Sequence, residues 1–106
     1  MSNQFGIPED VLNRIKTRDI TCVYCHKVFS RANDRHGDWT TIEHFREEGP
    51  FYWNEGLKEK DLAICCRSCN SSRGRKKLLE WFRTGYCIER NINERTVADP
   101  IKKFLR

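Results

Sequence analysis

The apolar positions along the chain predict short elements separated by polar stretches. Apolar residues recur at helical spacing from Val11 to Ile15, behind a proline and two acidic residues that suit a first helical turn, so we expect a helix over about 8–16. Residues 39–44 combine aromatic and β-branched side chains, and residues 62–65 form a second short apolar run. Both patterns are typical of β-strands.

The second half of the chain predicts two more helices. Asn70 or Ser71 can cap a helix that runs to about Arg83 and is stopped by the glycine two residues later. An aspartate–proline pair predicts the start of a C-terminal helix over about 100–105. Strands and helices together predict an α+β fold, and the chain length allows a single domain over residues 1–106 with one central unit and flanking helices.

Composition limits how such a chain can be stabilised. Apolar residues make up 38% of the sequence and charged residues 33%, which is more polar than the composition of an average globular domain. A short chain of this kind needs an additional constraint, such as a bound metal ion, to stabilise its fold. Its longest apolar run, 62–66, is five residues, and its N-terminus lacks the pattern of a secretion signal. We therefore expect an intracellular, cytoplasmic protein with no membrane association, in which clustered cysteines bind metal.

Two C-x-x-C pairs provide a stabilising constraint of this kind, a metal site. Forty residues separate the pairs, so a folded unit must lie between them. Four thiolates complete the tetrahedral shell of a structural zinc ion, and the predicted ligands are Cys22, Cys25, Cys66 and Cys69. Cys65 stands beside Cys66 and could replace it, whereas Cys87 is expected to be a structural thiol. His26 is expected to be a solvated side chain, because four thiolates already fill the shell.

The net positive charge is concentrated in one segment. Residues 67–83 carry six basic residues and one acidic residue, which accounts for the whole formal charge of +5. We expect this segment to contact an anionic partner rather than to act as an ordinary solvated helix face. The cations expected to reach phosphates are Arg73, Arg75, Lys76 and Lys77.

Two further groups of residues carry candidate chemistry. Glu43-His44 ends the first predicted strand, and the second cysteine pair continues as C-R-S-C-N-S-S-R-G over residues 66–74. The order C-x-x-C, an acid followed by histidine, then C-x-x-C-N-x-x-[KR]-G closely resembles the HNH endonuclease family in its zinc-stapled form. The resemblance covers residues 22–83, which is more than half of the chain.

The resemblance implies a ββα-metal unit, in which two short antiparallel strands and a helix surround a divalent cation, and an enzyme that hydrolyses DNA phosphodiester bonds. His44 would be the general base that activates water. Glu43 and Asn70 would be oxygen ligands of a catalytic magnesium or manganese ion, separate from the structural zinc. Arg67 and Arg73 match positions where the family places cations near phosphate.

The residue types suit this reaction, but their spacing on a strand raises a geometric question. Imidazole exchanges protons near neutral pH, and a cation held by a carboxylate and an amide keeps positions for phosphate oxygens. Adjacent residues on a regular strand point to opposite faces, so we expect the strand to end or bulge at Glu43-His44. Asp61 aligns with an asparagine that braces the loop between the family's strands, and it can accept but not donate hydrogen bonds there.

Two other functions fit parts of the sequence. A non-catalytic, zinc-stapled nucleic-acid-binding module needs the cysteines and the basic segment, but it does not need Glu43, His44 and Asn70 together. The aromatic residues 51–53 lie among acidic residues and would suit a protein partner, although covering the metal core is the simpler expectation. His36 lies in a turn-rich stretch and is expected to be a solvated loop side chain.

Overall fold

The computed structural model describes residues 5–29, 40–45 and 49–106. The polar loop that we expected after the first cysteine pair, including His36, lies outside these residues, and so does Trp39 at the start of the first predicted strand. Within the described ranges the chain forms a small α+β fold around a two-stranded sheet.

The two predicted strands pair with each other at the centre of the fold. β1 (Thr40–His44) runs antiparallel to β2 (Leu62–Cys66). The register continues without interruption from the first pair of residues to the pair formed by His44 and Leu62. We expected the strand to end or bulge at Glu43-His44. β1 does end at His44, but it has no bulge and stays regular up to that residue.

Five α-helices accompany the sheet within the described ranges. The first and the last agree with the predicted helices to within two residues, and the aspartate–proline pair does begin the C-terminal one. The helices are α1 (Glu9–Arg18), α2 (Arg67–Arg73), α3 (Leu78–Trp81), α4 (Gly85–Arg90) and α5 (Asp99–Leu105). Short 3₁₀ turns, Trp53–Glu55 and Glu59–Asp61, precede β2. In the part of the chain that the structure describes, no helix combines the length and the apolar character needed to cross a membrane.

The single helix predicted over about 70–83 is wrong. Cys66 caps α2 instead, because its sulfur accepts the backbone N–H of Cys69 at 3.5 Å, so the helix begins three residues before Asn70. Gly74 ends α2. Its φ of 54° is positive, and a residue with a positive φ cannot continue a right-handed helix. Gly85, expected as a helix stop, begins α4. Capping by a metal-site sulfur is a tertiary effect that helix propensity does not carry.

Different cores cover the two faces of the sheet. The face that carries Thr41 and Glu43, which we call the cysteine face, contributes Ala63 and Cys65 to a cluster built from the first cysteine pair and α3–α5. The opposite face, which we call the α1 face, contributes side chains to a second cluster against α1, and these are Ile42, Leu62 and Ile64. A shift of one residue would exchange the faces, so the two cores fix the register.

The outer edge of β2 is closed by an ion pair at the end of α1. The backbone N–H of Ile64 donates to Asp19 Oδ2 at 2.9 Å, and Arg18 Nη2 donates to the carbonyl of Leu62 at 2.8 Å. Arg18 and Asp19 also bind each other, with 2.7 Å between Nε and Oδ1. These two side chains satisfy main-chain groups that a third strand would otherwise bind.

Candidate metal centre and the strand end beside it

The first cysteine pair lies in a tight turn. The backbone N–H of Cys22 donates to the carbonyl of Lys27 at 2.9 Å, and that of His26 donates to the carbonyl of Cys22 at 2.9 Å. His26 takes a left-handed φ of 64°, which folds the turn back on itself. The His26 ring is on the exposed side, where Nε2 hydrogen-bonds to the carbonyl of Thr96.

The second cysteine pair lies where β2 passes into α2. Cys66 is the last residue of β2, and Cys69 lies in the first turn of α2. The Cys65 sulfur lies on the cysteine face instead, 3.3 Å from the hydroxyl oxygen of Thr41. The structure therefore favours Cys66 over Cys65 as the member of the cluster, and it buries Cys87 in the apolar core nearby.

The four predicted sulfurs come together although forty residues separate the pairs. Their Sγ atoms all lie within 4.8 Å of one another, and those of Cys25 and Cys66 are 3.8 Å apart. A tetrahedral ion with metal–sulfur bonds of about 2.3 Å requires sulfur–sulfur edges of about 3.8 Å. The cluster therefore fits a tetrahedral metal ion such as zinc.

The crowded sulfurs perturb one another's ionisation. A hydrogen bond with Cys22 lowers the pKa of the Cys25 and Cys66 thiols, and the partner Cys22, bonded to Cys25, has its pKa raised. The pKa of Cys69 is also raised, chiefly by its hydrogen bond with Cys22. The thiolate is the ligand form, so a metal ion bound here would displace the protons that these sulfurs share.

Sequence reasoning missed an aromatic support beside the cluster. The hydroxyl oxygen of Tyr86 lies 3.4 Å from the Cys69 sulfur, within hydrogen-bonding distance. The guanidinium of Arg90 lies 3.8 Å from the centre of the Tyr86 ring, and it also donates to the Tyr86 carbonyl at 3.1 Å. The spacing of tyrosine and arginine on α4 gave a signal for their contact with each other, but none for the contact with a metal-site sulfur.

Glu43 lies on the cysteine face and is only 5% exposed. Its Oε2 accepts the Tyr24 hydroxyl at 2.8 Å and lies 3.4 Å from Arg73 Nη1. The backbone N–H of His44 also donates to this carboxylate. Burial raises the pKa of Glu43 and outweighs the opposing effect of Arg73. Tyr24 stands inside the first C-x-x-C pair, where no pattern in the sequence predicted a carboxylate partner.

Arg73 is buried rather than directed at solvent. It is only 3% exposed, and its three nitrogens donate to carbonyl oxygens as well as facing Glu43. The distances are 3.0 Å from Nε to Lys76, 3.2 Å from Nη1 to His44 and 2.9 Å from Nη2 to Phe45. The predicted phosphate contact by Arg73 is therefore corrected, because its guanidinium is already committed inside the fold.

His44 leaves the strand on the α1 face, opposite to Glu43. Its ring lies between two phenylalanines, with ring centres 5.8 Å from Phe5 and 5.2 Å from Phe51. Nε2 is 3.0 Å from the carbonyl oxygen of Pro50. A carbonyl only accepts, so Nε2 carries the hydrogen in this contact.

The residues expected around a catalytic metal lie on both faces of β1. Asn70 lies on α2 and donates from Nδ2 to the Thr41 hydroxyl at 3.1 Å, so it stands over the cysteine face. Glu43 is on the same face, but its carboxylate is buried among a hydroxyl, a guanidinium and a backbone N–H. His44 lies across the strand from both. In this arrangement the predicted pair of oxygen ligands does not fit an open site for magnesium or manganese, which keep several waters and substrate oxygens.

Comparisons of the chain with protein-family models, with curated proteins and with solved structures found no match. The resemblance to HNH endonucleases therefore rests on the residues quoted from the sequence.

The remaining predicted phosphate contacts lie on the surface. Exposed cations lie at the first residue of α2 and in the turn that follows this helix, and they are Arg67, Arg75, Lys76 and Lys77. Lys76 Nζ donates to the carbonyl of Ser72 at 3.2 Å, and this bond directs it back along the helix. Unlike Arg73, all four side chains are exposed to solvent.

Asp61 accepts hydrogen bonds as a brace must. Its Oδ2 accepts the backbone N–H of Lys58 at 3.2 Å, and its carbonyl accepts the N–H of Phe45 at 3.1 Å. The second bond extends the strand pairing one residue beyond His44, so it ties the end of β1 to the turn that enters β2.

Proposed function

We propose that this chain is a zinc-stapled, HNH-type endonuclease that hydrolyses DNA phosphodiester bonds. The observation that carries the proposal is the succession of β1, β2 and α2 beside the four-cysteine cluster, with His44 at the end of β1 and Asn70 on α2. The sequence motif requires this order, and a binding module would have no need of a histidine held at that position.

The zinc assignment is supported by the chemistry of the donor set. Four cysteine sulfurs at tetrahedral spacing, without an oxygen or nitrogen ligand in the group, suit zinc and leave no open position on the ion. Such a closed site stabilises the fold rather than catalysing a reaction. The ion would join the turn before β1 to the start of α2.

In the proposed reaction His44 is the general base. The Pro50 carbonyl binds Nε2 and so orients the ring, and Nδ1 accepts a proton from the water that attacks phosphorus. Phe5 and Phe51 also contact the ring, and such contacts favour a defined ring orientation for the reaction.

Charge on the DNA is matched by the exposed cations rather than by Arg73. Arg67, Arg75, Lys76 and Lys77 provide sequence-independent contacts with phosphates, so affinity should fall steeply with salt. The resemblance also implies a divalent cation in the reaction. Since the Glu43 carboxylate that should bind this ion is already enclosed by Tyr24 and Arg73, no step is assigned to the ion.

A nicking assay tests the proposal. Supercoiled plasmid is incubated with the purified chain and magnesium or manganese, beside His44→Ala and the control His26→Asn, which removes another imidazole from a left-handed position that asparagine tolerates. We expect cleavage by the native chain and the control and a loss of at least about 100-fold in His44→Ala. Equal cleavage by native chain and His44→Ala would overturn the role of His44.

A non-catalytic nucleic-acid-binding module is the second candidate, and the buried state of Glu43 favours it. A carboxylate enclosed by Tyr24 and Arg73 has a structural explanation that needs no metal. In that case the assay would show no cleavage by the native chain with either ion, while salt-sensitive DNA binding persisted and was weakened by Lys76→Ala and Lys77→Ala.

A further inference from the structure

The main-chain groups of His44 are bound by side chains and not by β2. In an antiparallel ladder, residue pairs alternate between those that exchange hydrogen bonds and those that do not. Phe45 donates its N–H to Asp61 at 3.1 Å, so the preceding pair, His44 with Leu62, is of the second kind. The N–H and the C=O of His44 therefore point away from β2, toward the outer edge of β1.

Glu43 and Arg73 bind both of these groups. The His44 N–H donates to the Glu43 carboxylate, and the His44 carbonyl accepts from Arg73 Nη1 at 3.2 Å. Arg73 then holds the next carbonyl, that of Phe45, at 2.9 Å, and the same guanidinium faces Glu43. The peptide groups on both sides of His44 are thus fixed by one buried ion pair.

Fixing those two peptide groups fixes the direction in which the His44 side chain leaves the backbone. The ring is thereby delivered to the α1 face, where Pro50 and the two phenylalanines meet it. Arg73 is itself held by its Nε bond to the Lys76 carbonyl, and Glu43 by the Tyr24 hydroxyl, so the pair is anchored to α2 and to the cysteine turn.

We propose that Glu43 and Arg73 are positioning residues for His44, and that neither one contacts the catalytic metal or the DNA. The proposal rests on the proposed nuclease function and deepens it, because it gives the acid of the Glu43-His44 motif a different role from the metal ligand that the family resemblance implies. The Glu43 carboxylate faces three hydrogen-bond donors and is almost completely buried, so a hydrated cation cannot approach it.

Kinetics on three variants distinguish a positioning role from metal ligation. Glu43→Gln keeps the shape of the side chain, and Arg73→Lys keeps the positive charge but loses the paired N–H donors of the guanidinium. The control, Arg18→Lys, makes the same change in the ion pair at the other edge of the sheet. We expect kcat to fall about 100-fold in the first two, with little change in KM for DNA or in the metal concentration that gives half-maximal activity. The control should keep its kcat.

Nuclear magnetic resonance gives a readout that does not need activity. Zinc-loaded, folded samples of the same variants are compared through the ring signals of His44. These signals should shift in Glu43→Gln and in Arg73→Lys and stay in place in Arg18→Lys. Should Glu43→Gln prove too unstable to measure, Tyr24→Phe removes one support of the carboxylate and should shift the same signals by less.

The outcomes divide cleanly. If Glu43→Gln needs ten times more metal and regains its kcat when metal is added, then Glu43 is a metal ligand and the proposal is overturned. Unchanged His44 signals in both Glu43→Gln and Arg73→Lys would overturn it as well. A native chain that cleaves no DNA would defeat the proposed function alone, and the ring signals would then decide whether the pair positions His44.

Discussion

At both outer edges of the sheet an arginine and a carboxylate bind main-chain groups that lack a partner strand, but the two pairs differ in origin and burial. Arg18 and Asp19 are neighbours at the end of α1, and the Asp19 side chain is only 3% exposed but that of Arg18 is 35% exposed. Arg73 and Glu43 come from α2 and β1, and their side chains are 4% and 6% exposed. The first pair closes an edge and leaves its cation open to water, whereas the second joins two elements and buries both charges.

The difference in burial sets the cost of breaking each pair. Removing one partner of a buried pair leaves an uncompensated charge and costs about 3–5 kcal/mol, while a pair that water reaches contributes about 0–1 kcal/mol. The β1 edge should therefore be the sensitive one, and it is the edge that carries His44. Four measurements test this contrast.

Metal removal should have the largest effect on stability, because we expect it to unfold the chain and so to break both edges of the sheet at once. The cluster joins the cysteine turn to the start of α2, and structural zinc contributes on the order of 10 kcal/mol to folding. We expect a chelator to unfold the chain, as followed by circular dichroism, and Cys25→Ser to lose the bound zinc. Cys87→Ala should retain zinc as the control. A chelated chain with an unchanged melting temperature would contradict the role given to the cluster.

Arg73→Met should destabilise the chain by about 3–5 kcal/mol at neutral pH, because Glu43 stays buried without its cation. The pKa of Glu43 is already raised by burial, and loss of Arg73 raises it further. The variant should therefore be closest to the native chain at acid pH, where Glu43 is protonated, and fall behind as the pH rises through the pKa of Glu43.

Urea unfolding at several pH values measures this change. Arg75→Met, an exposed neighbour, is the control and should stay within about 0.5 kcal/mol of the native chain. If the destabilisation of Arg73→Met does not vary with pH, it comes from the lost hydrogen bonds to carbonyl groups and not from the charge of Glu43.

Tyr24→Phe should cost about 2 kcal/mol, since it removes a hydrogen bond to a buried carboxylate without disturbing the ion pair. Urea unfolding of this variant beside Tyr52→Phe gives the comparison, because the Tyr52 side chain is half exposed and its hydroxyl should contribute little. Equal stabilities of the two variants would show that the β1 edge depends on Arg73 alone.

Arg18→Met should have the smallest effect, about 1 kcal/mol, because the Arg18 side chain is 35% exposed and its removal lets water reach the buried Asp19 carboxylate and the Leu62 carbonyl. The same unfolding measurement, set beside that of Arg73→Met, tests the contrast between the edges directly. If Arg18→Met costs as much as Arg73→Met, burial does not separate the two pairs.

Features fixed by local spacing could be predicted from the sequence, and those fixed by packing could not. The cysteine cluster follows from two C-x-x-C turns, and the strands follow from β-branched runs, so both were found with the right residues. The helix over 70–83 failed, because Gly74 and the Cys66 cap divide it. The burial of Arg73 depends on how α2 lies against β1, and nothing in the basic run distinguishes Arg73 from the exposed Arg75.

The same limit applies to the strand end. Alternation along a strand predicted that Glu43 and His44 would diverge, yet the family pattern led us to expect that the strand would end or bulge at this pair, so that both could face one metal. The continuous register settles this point in favour of alternation. The hydroxyl of Tyr24 and the carbonyl of Pro50, which decide what each side chain does, come from turns that carry no sequence signal for these contacts.

The shortness of α2 limits how chains of this design can vary in length. Its seven residues span about 10 Å, with Cys69 at the metal and Arg73 at the strand, and a helix this short does not persist alone. One residue inserted between these two would turn Arg73 by about 100° around the helix axis, away from His44. Insertions and deletions between Cys69 and Arg73 should therefore be absent from chains of this design.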